Sequence, residues 1–323
     1  MDRVLVVGAG SIGRRHIQCL REVGVSDIFV CEPVEANQKQ VRSMFDIRDI
    51  FINLTDALKN TYDGVIVCVP NHIHAAVAIP IIERGMAVLL EKPIEIDLAA
   101  AQKISETANK YNVVCQIGYC LRFTSAMEQI HAIIDAGTLG KVLCADVTVG
   151  HYLPDWRPGV DYRKVYSAIK SQGGGVCLDI SHELDYFRWF FGEPVHVQSH
   201  VQKISGLEMD VEDVAETIVM TNQGTVGRIH LDYLSRASRR RLSIIAEKGN
   251  IEYDFVSGML EIYEAGSEFW KRRLCNEDRN IMYKKQLRHF MDCVKNKSKP
   301  LIDADDAVKT LEFALKIRNS SKG

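Results

Sequence analysis

The sequence predicts an α/β domain built on a parallel, doubly wound sheet, followed by an α+β domain with a mostly antiparallel sheet. Three observations lead there. Short apolar runs alternate with helix-period segments through the first third of the chain. A Gly-x-Gly-x-x-Gly turn, Gly8-Ala9-Gly10-Ser11-Ile12-Gly13, joins the first apolar run to the first helical segment. From residue 142 onward apolar positions recur every second residue, in runs separated by turn signals such as Asn222-Gln223-Gly224 and Lys248-Gly249-Asn250. The expected division is 1–120 and 121–323.

Each element follows from its local pattern. Val4-Leu5-Val6-Val7 reads as a buried strand and 11–23 as a helix. A strand at 27–31, a helix at 35–44 and a short strand at 49–52 come next. The run 64–69 is a strand halted by Pro70, and 75–84 is a helix that Pro80 can kink. The strand 86–90 ends at Glu91-Lys92-Pro93. Asp97 caps a helix over 98–111, and 113–117 is another strand. A helix over 125–136 ends at Gly137. Alternating strands are then expected at 142–149, 196–201, 215–220, 226–233, 242–246, 250–253 and 259–263, interrupted by one helix over 179–191. Helices over 284–294 and 304–317, the second capped by Asp303, close the chain.

Composition narrows the function classes. With 323 residues, 46% hydrophobic and 25% charged, the chain suits two globular domains. A net charge of −2 argues against broad nucleic-acid or anionic-membrane binding, and Arg239-Arg240-Arg241 is too short a cluster to reverse that. No apolar stretch reaches the roughly 18 residues of a membrane span, and a strand beginning at Arg3 leaves no room for a signal peptide. Nine scattered cysteines without a Cys-x-x-Cys pair read as reduced thiols of a cytoplasmic protein. No His/Cys spacing suggests a zinc site, and no metal is expected.

The Gly8–Gly13 turn lies between a strand and a helix, the context in which this spacing binds a dinucleotide. Gly8 makes the turn, Gly10 admits a pyrophosphate against the backbone, and Gly13 permits close helix–strand packing. Ser11 and Ile12 begin the helix, whose N–H groups and dipole favour phosphate. Glu32 closes the second strand 19 residues after Gly13. A carboxylate there accepts hydrogen bonds from ribose hydroxyls and repels a 2′-phosphate, which favours NAD. Arg14 and Arg15 keep NADP open. A turn whose glycines serve packing alone is the plain alternative, and FAD or S-adenosylmethionine would fit the loop too.

Two more strand ends face the same crevice. In Pro70-Asn71-His72-Ile73-His74, Asn71 or His74 can contact ribose or nicotinamide, although His74 equally suits the start of a helix. Lys92, behind the strand 86–90, can reach the chemistry; by itself it is an ordinary surface lysine. The segment Gly173-Gly174-Gly175 leads into a helix whose Ile180, Leu184, Phe187 and Phe191 form one apolar stripe. His182, Asp185 and Trp189 fall on the opposite side, with Asp179 toward its edge. A histidine three residues from two carboxylates suits general acid–base work, and a solvated polar face is the plain alternative.

Together with Gly118-Tyr119-Cys120-Leu121-Arg122-Phe123, these segments resemble the glucose–fructose oxidoreductase/inositol dehydrogenase family (Gfo/Idh/MocA) along essentially the whole chain. The resemblance implies an α/β Rossmann domain plus an α+β domain with a mostly antiparallel open-faced sheet, which often forms homodimer or homotetramer contacts. It implies NAD(P)-dependent hydride transfer at a carbinol carbon of a sugar, cyclitol or nucleotide sugar. Carried over residue by residue, Lys92 and His182 become catalytic, with Asp179 and Asp185 beside them. Pro70, Asn71, His74, Glu91 and Lys92 join the glycine loop and Glu32 as cofactor residues. Arg122, Trp156, Arg163, Asp179 and His182 become substrate residues. Two positions depart from the family: Leu178 stands where many members place an aspartate, and Cys120 where an asparagine is common. The stretch from Tyr152 to Arg163 is similar to a subgroup associated with bacterial surface-sugar biosynthesis; its aromatics suit a sugar or base, and Arg157 and Arg163 an anion. Two other function classes stay open: a dinucleotide-binding sensor without turnover, and redox-neutral sugar chemistry that uses NAD transiently.

Overall fold

The computed structural model describes residues 2–320. The chain forms two compact units. One holds the residues through Cys120 together with Arg279–Leu311, and the other Leu121–Asp278 with the chain from Glu312.

The first unit starts as β1 (Arg3–Val7), α1 (Ser11–Glu22), β2 (Asp27–Cys31), α2 (Glu35–Met44), β3 (Asp49–Phe51) and α3 (Leu54–Ala57). It continues as β4 (Gly64–Val67), α4 (His74–Ile82), β5 (Val88–Leu90), α5 (Leu98–Tyr111) and β6 (Cys115–Ile117). All six strands pair in parallel in the order β3-β2-β1-β4-β5-β6. Val4 to Val7 are buried because helices cover both faces of the sheet, which is why the strand reads as an unbroken apolar run. The strand order reverses between β1 and β4, and ligands bind such sheets at the carboxyl ends beside that point. Asp97 caps α5 as expected, accepting the Ala100 N–H at 2.9 Å. The short α3 is absent from the sequence reading; only Asn53, which accepts the Asp56 N–H at 2.8 Å, signals it.

The second unit contains α6 (Ser125–Asp135), β7 (Val142–Gly150), α7 (Val176–Asp179), α8 (His182–Phe191), β8 (Pro194–Gln202) and β9 (Val214–Thr221). Five strands follow: β10 (Val226–Asp232), β11 (Arg239–Ala246), β12 (Gly249–Asp254), β13 (Met259–Glu264) and β14 (Lys271–Leu274). Eight strands line up as β14-β13-β12-β11-β7-β10-β9-β8, antiparallel except for β7 with β10. Along β9, Ala215, Thr217 and Val219 are buried while Glu216, Ile218 and Met220 are exposed. That alternation marks one covered and one open face. On the covered face a Cβ at Gly227 would collide with the Phe187 ring, so this glycine lets α8 lie close on the sheet.

The unpredicted β14 is wholly exposed, with a Lys-Arg-Arg-Leu sequence that lacks alternation. Arg272 to Glu261 (2.6 Å) and Lys271 to Glu264 (2.7 Å) pair it with β13, and its charges protect a sheet edge.

The structure corrects the placement of 279–311 in the second domain. Tyr283, Leu287 and Phe290 of α9 (Arg279–Asn296) pack into the core that holds Val4, Ile17 and Leu20. The apolar stripe of this helix therefore completes the first unit. The last helix, α10 (Ala304–Ser320), is capped by Asp303, which accepts the Asp306 N–H at 2.8 Å.

Candidate active site

The three glycines of the first loop serve two different needs. Gly8 has φ +90°, and a Cβ there would lie 2.6 Å from the Cys68 carbonyl oxygen. A Cβ on Gly13 would overlap the Gly8 carbonyl oxygen. Both glycines are required by the protein's own packing. A Cβ on Gly10 would meet nothing within 4 Å, so this glycine keeps space open over the start of α1. Ser11 is exposed and Ile12 half-buried at the first turn, which has no side-chain cap.

Glu32 is only 4% exposed. Its Oε2 accepts the Ala9 N–H at 2.7 Å and its Oε1 the Val34 N–H at 2.8 Å. The carboxylate thus ties the glycine loop to the end of β2 and retains lone pairs for further donors. Arg14 donates to the Ala9 carbonyl at 2.7 Å, and Arg15 lies 5.2 Å over the Tyr283 ring. Pro70 leads into Asn71 past β4, and the buried Asn71 Nδ2 has no hydrogen-bond partner among the described residues. A buried amide donor without a partner calls for a ligand acceptor. Open space over Gly10, a helix start and this unspent donor fit a dinucleotide.

His74 departs from the expected cofactor contact. It is fully buried, its Nδ1 2.9 Å from the Pro93 carbonyl oxygen and its Nε2 3.1 Å from that of Val69. Burial lowers its pKa, against the hydrogen bonds to Val69, Pro93 and Ile94. A neutral ring donates through one nitrogen only, so His74 hydrogen-bonds a carbonyl on one side, at Val69 or at the Lys92-Pro93 turn, whose peptide bond is cis, and merely packs against the other. Lys92 is half-buried directly behind β5. Before it, Glu91 Oε1 sits 2.8 Å from Nε2 of His16, a buried residue of α1 that sequence reasoning missed. Histidine on the packed side of a helix carries no sequence signal of its own.

In the second unit the glycine triplet approaches the chain itself. A Cβ on Gly174 would lie 2.5 Å from the Tyr166 carbonyl oxygen, and one on Gly175 would overlap the Glu212 carboxylate. The single helix expected over 179–191 is two, broken at Ile180-Ser181. Asp179 ends α7 and His182 begins α8, so their three-residue spacing is not that of one helix; His182 and Asp185 do share α8. The face expected to be polar is mostly buried: Asp185 is 1% exposed, while His182 and Trp189 are half-buried.

Both carboxylates are held. Asp179 accepts from the Tyr166 hydroxyl and, at 3.0 Å, from the Tyr233 hydroxyl. Burial, with the Asp179 charge beside them, pushes both phenols well above their ordinary range, so they remain donors. Neither tyrosine was legible as a site residue, because each comes from a separate segment. Asp185 takes a bidentate pair from Arg122, Nε at 2.9 Å and Nη2 at 2.6 Å. This corrects Arg122 as a substrate residue: it is 3% exposed and lies 5.2 Å over Trp189, which stacks on His131. Arg163 is likewise engaged, with Asp161 at 2.8 Å and Glu208 at 3.3 Å, rather than a bare anion receptor. Trp156 retains an exposed face between His151, stacked at 5.6 Å, and Tyr233, edge-on at 5.5 Å. Among the described residues no cluster of His, Cys, Asp or Glu is arranged to hold a metal ion. No described helix is long and apolar enough to cross a membrane.

Two family models match this architecture. Residues 3–119 match an oxidoreductase family described as an NAD-binding Rossmann fold, and residues 127–252 match the GFO/IDH/MocA C-terminal domain. The chain belongs to the GFO/IDH/MocA family. Its first unit is that family's NAD-binding domain, and it is an oxidoreductase by that membership. The scyllo-inositol 2-dehydrogenase (NAD(+)) of Bacillus subtilis strain 168 is 26% identical over 332 aligned positions, which span 98% of this chain and 93% of that protein. Levoglucosan dehydrogenase in complex with NADH superposes with a TM-score of 0.92 at 16% identity, over 99% of this chain and 97% of that one. The WlbA dehydrogenase of Bordetella pertussis, in complex with NADH and UDP-GlcNAcA, gives 0.84 at 18% identity, over 99% and 96%. At those identities the two structures bear on the fold alone.

Proposed function

We propose that this GFO/IDH/MocA member transfers a hydride to or from a carbinol carbon of a sugar, cyclitol or nucleotide sugar, with a role in surface-sugar biosynthesis. The observation that carries the reading is Lys92, half-buried at the carboxyl end of an interior parallel strand in the sheet that bears the glycine loop. The names of two relatives, dehydrogenases of scyllo-inositol and myo-inositol, support the substrate class.

Bound NAD supplies the hydride acceptor or donor. The N–H groups at the start of α1 receive the pyrophosphate, and Asn71 Nδ2 donates to the cofactor. Glu32 accepts from ribose and repels a 2′-phosphate, so NAD is favoured over NADP. Lys92 stabilises the developing alkoxide or polarises the carbonyl. His182 takes the hydroxyl proton during oxidation and returns it during reduction. Asp179 or Asp185 orients that imidazole, while Trp156 offers an apolar face to a sugar.

A screen of polyols, inositols and nucleotide sugars by NADH absorbance, with both cofactors, tests the substrate class. On the substrate found, Lys92→Ala and His182→Ala should each lower kcat by about 10²–10⁴-fold while NADH affinity changes little. Wild-type turnover in both variants would remove the assignment.

The open face of the second unit's sheet is proposed as a self-association surface. Ile218 (52% exposed), Met220 and Val226 lie on the neighbouring β9 and β10, and the exposed Cys144 of β7 joins them to Ile245 of β11. Sedimentation should show a dimer or tetramer that Ile218→Lys shifts toward monomer; a monomeric wild type would contradict it. Nine free cysteines fit a reducing compartment, and we place the protein in the cytoplasm. Recovery in a periplasmic or membrane fraction would contradict that.

A further inference from the structure

His16 has no role in the reading above, yet its placement is specific. It lies in the second turn of α1, wholly buried, its ring perpendicular to that of Tyr283 at a centroid distance of 5.5 Å. Its Nε2 is 2.8 Å from Glu91 Oε1, and its Nδ1 is buried with no hydrogen-bond partner among the described residues. An N–H at Nδ1 would be stranded without an acceptor, at a cost of about 1–3 kcal/mol. The proton therefore sits on Nε2 and is donated to Glu91. The other carboxylate oxygen, Oε2, accepts the Lys92 backbone N–H at 3.3 Å. On its far side Glu91 is confined by Gly118, where an added Cβ would stand 3.1 Å from the carboxylate.

We propose that His16 is a positioning residue for Lys92: through Glu91 it fixes the turn that carries the ammonium group, and it ties that turn to the helix whose first turn receives the dinucleotide phosphates. The linkage runs over α1, His16 Nε2, Glu91 and the Lys92 amide. Helix α1 is anchored at its other contacts by the loop that Glu32 holds and by Tyr283, which packs against both His16 and Arg15. Settling of the phosphates on α1 is thereby transmitted to Lys92 by two hydrogen bonds, without a moving lid. The inference rests on the hydride-transfer reading, since only there does the position of Lys92 matter to turnover.

Two conservative variants separate reach from bulk. His16→Gln places an amide N–H near the position of Nε2, whereas His16→Asn stops near Nδ1, short of Glu91. In full-length protein, Lys92 acylation by acetic anhydride is followed by mass spectrometry with and without saturating NADH, with the exposed Lys39 as internal standard. NADH affinity comes from its fluorescence. NADH should protect Lys92 several-fold in the wild type and in His16→Gln. In His16→Asn the protection should fall below about twofold, and kcat by about tenfold or more, with NADH affinity within about threefold of wild type. Wild-type protection and kcat in His16→Asn would overturn this inference and leave the function standing. Lys92 labelling unaffected by NADH in the wild type would instead overturn the hydride-transfer reading and this proposal with it.

Discussion

His230, on the open face of β10, shows how single residues set pH behaviour here. It is 12% exposed, with Nε2 2.7 Å from Asp232 Oδ2 and Nδ1 hydrogen-bonded to Glu216. Arg239 Nη2 lies 3.1 Å from the same Asp232 oxygen and 2.9 Å from His230 Nε2. Two donors cannot share a hydrogen, so Arg239 gives its own to Asp232. The hydrogen bond to Asp232 raises the His230 pKa, against burial and with help from Glu216. Burial pushes Asp232 up, but His230, Ser235 and the Leu234 amide outweigh it and hold the carboxyl well below its usual range. A histidine whose folded pKa is raised contributes stability below the unfolded value, near ~6.5. That contribution disappears as pH rises through the folded value. Wild type should therefore exceed His230→Gln in urea midpoint below pH ~6.5, and the gap should close on going alkaline. A gap that widened with pH would contradict the sign. The residue scale also marks the limit of motif reading: Glu32 was legible as an acceptor, but its bonds from the Ala9 and Val34 amides were not, because they depend on where residues 9 and 34 fold.

At the scale of elements, the glycine loop and α1 separate folding from binding. Gly13 is needed by the protein, since a side chain there would overlap the Gly8 carbonyl. Gly10 faces open space and is needed only by what binds. Gly13→Ala should lower Tm by several degrees, the equivalent of about 1–3 kcal/mol. Gly10→Ala should leave Tm nearly unchanged and weaken NADH by about tenfold, one methyl group displacing a phosphate contact. Equal effects of the two on Tm would refute the distinction. Elements with strong periodicity or a cap were read closely, as with α2 and α5, whose ends match the expected ones. The helix over 179–191 was not: its apolar stripe continues through the sequence, but the backbone breaks at Ile180-Ser181. Strand β14 was missed because an edge strand buries neither face and so has no alternation to show.

At the scale of the molecule, the chain revisits the first unit after completing the second. Phe290 and Leu287 of α9 are almost wholly buried in the core beneath α1 and β1. Phe290→Ala should therefore destabilise the NAD-binding unit by about 3–5 kcal/mol, seen as lower urea tolerance of NADH binding. A loss under about 1 kcal/mol would show that α9 is not part of that core. The sequence by itself determined the alternating parallel sheet, the dinucleotide loop, the strand that ends at Lys92 and the open antiparallel sheet. Each is written in short-range periodicity, glycine spacing or a cap. Only the tertiary structure decided that His16 grips Glu91, that Arg122 is spent on Asp185, that two tyrosines hold Asp179, and that α9 belongs to the first unit. Those contacts join residues 13 to more than 200 positions apart, and burial alone chooses which polar groups must find each other.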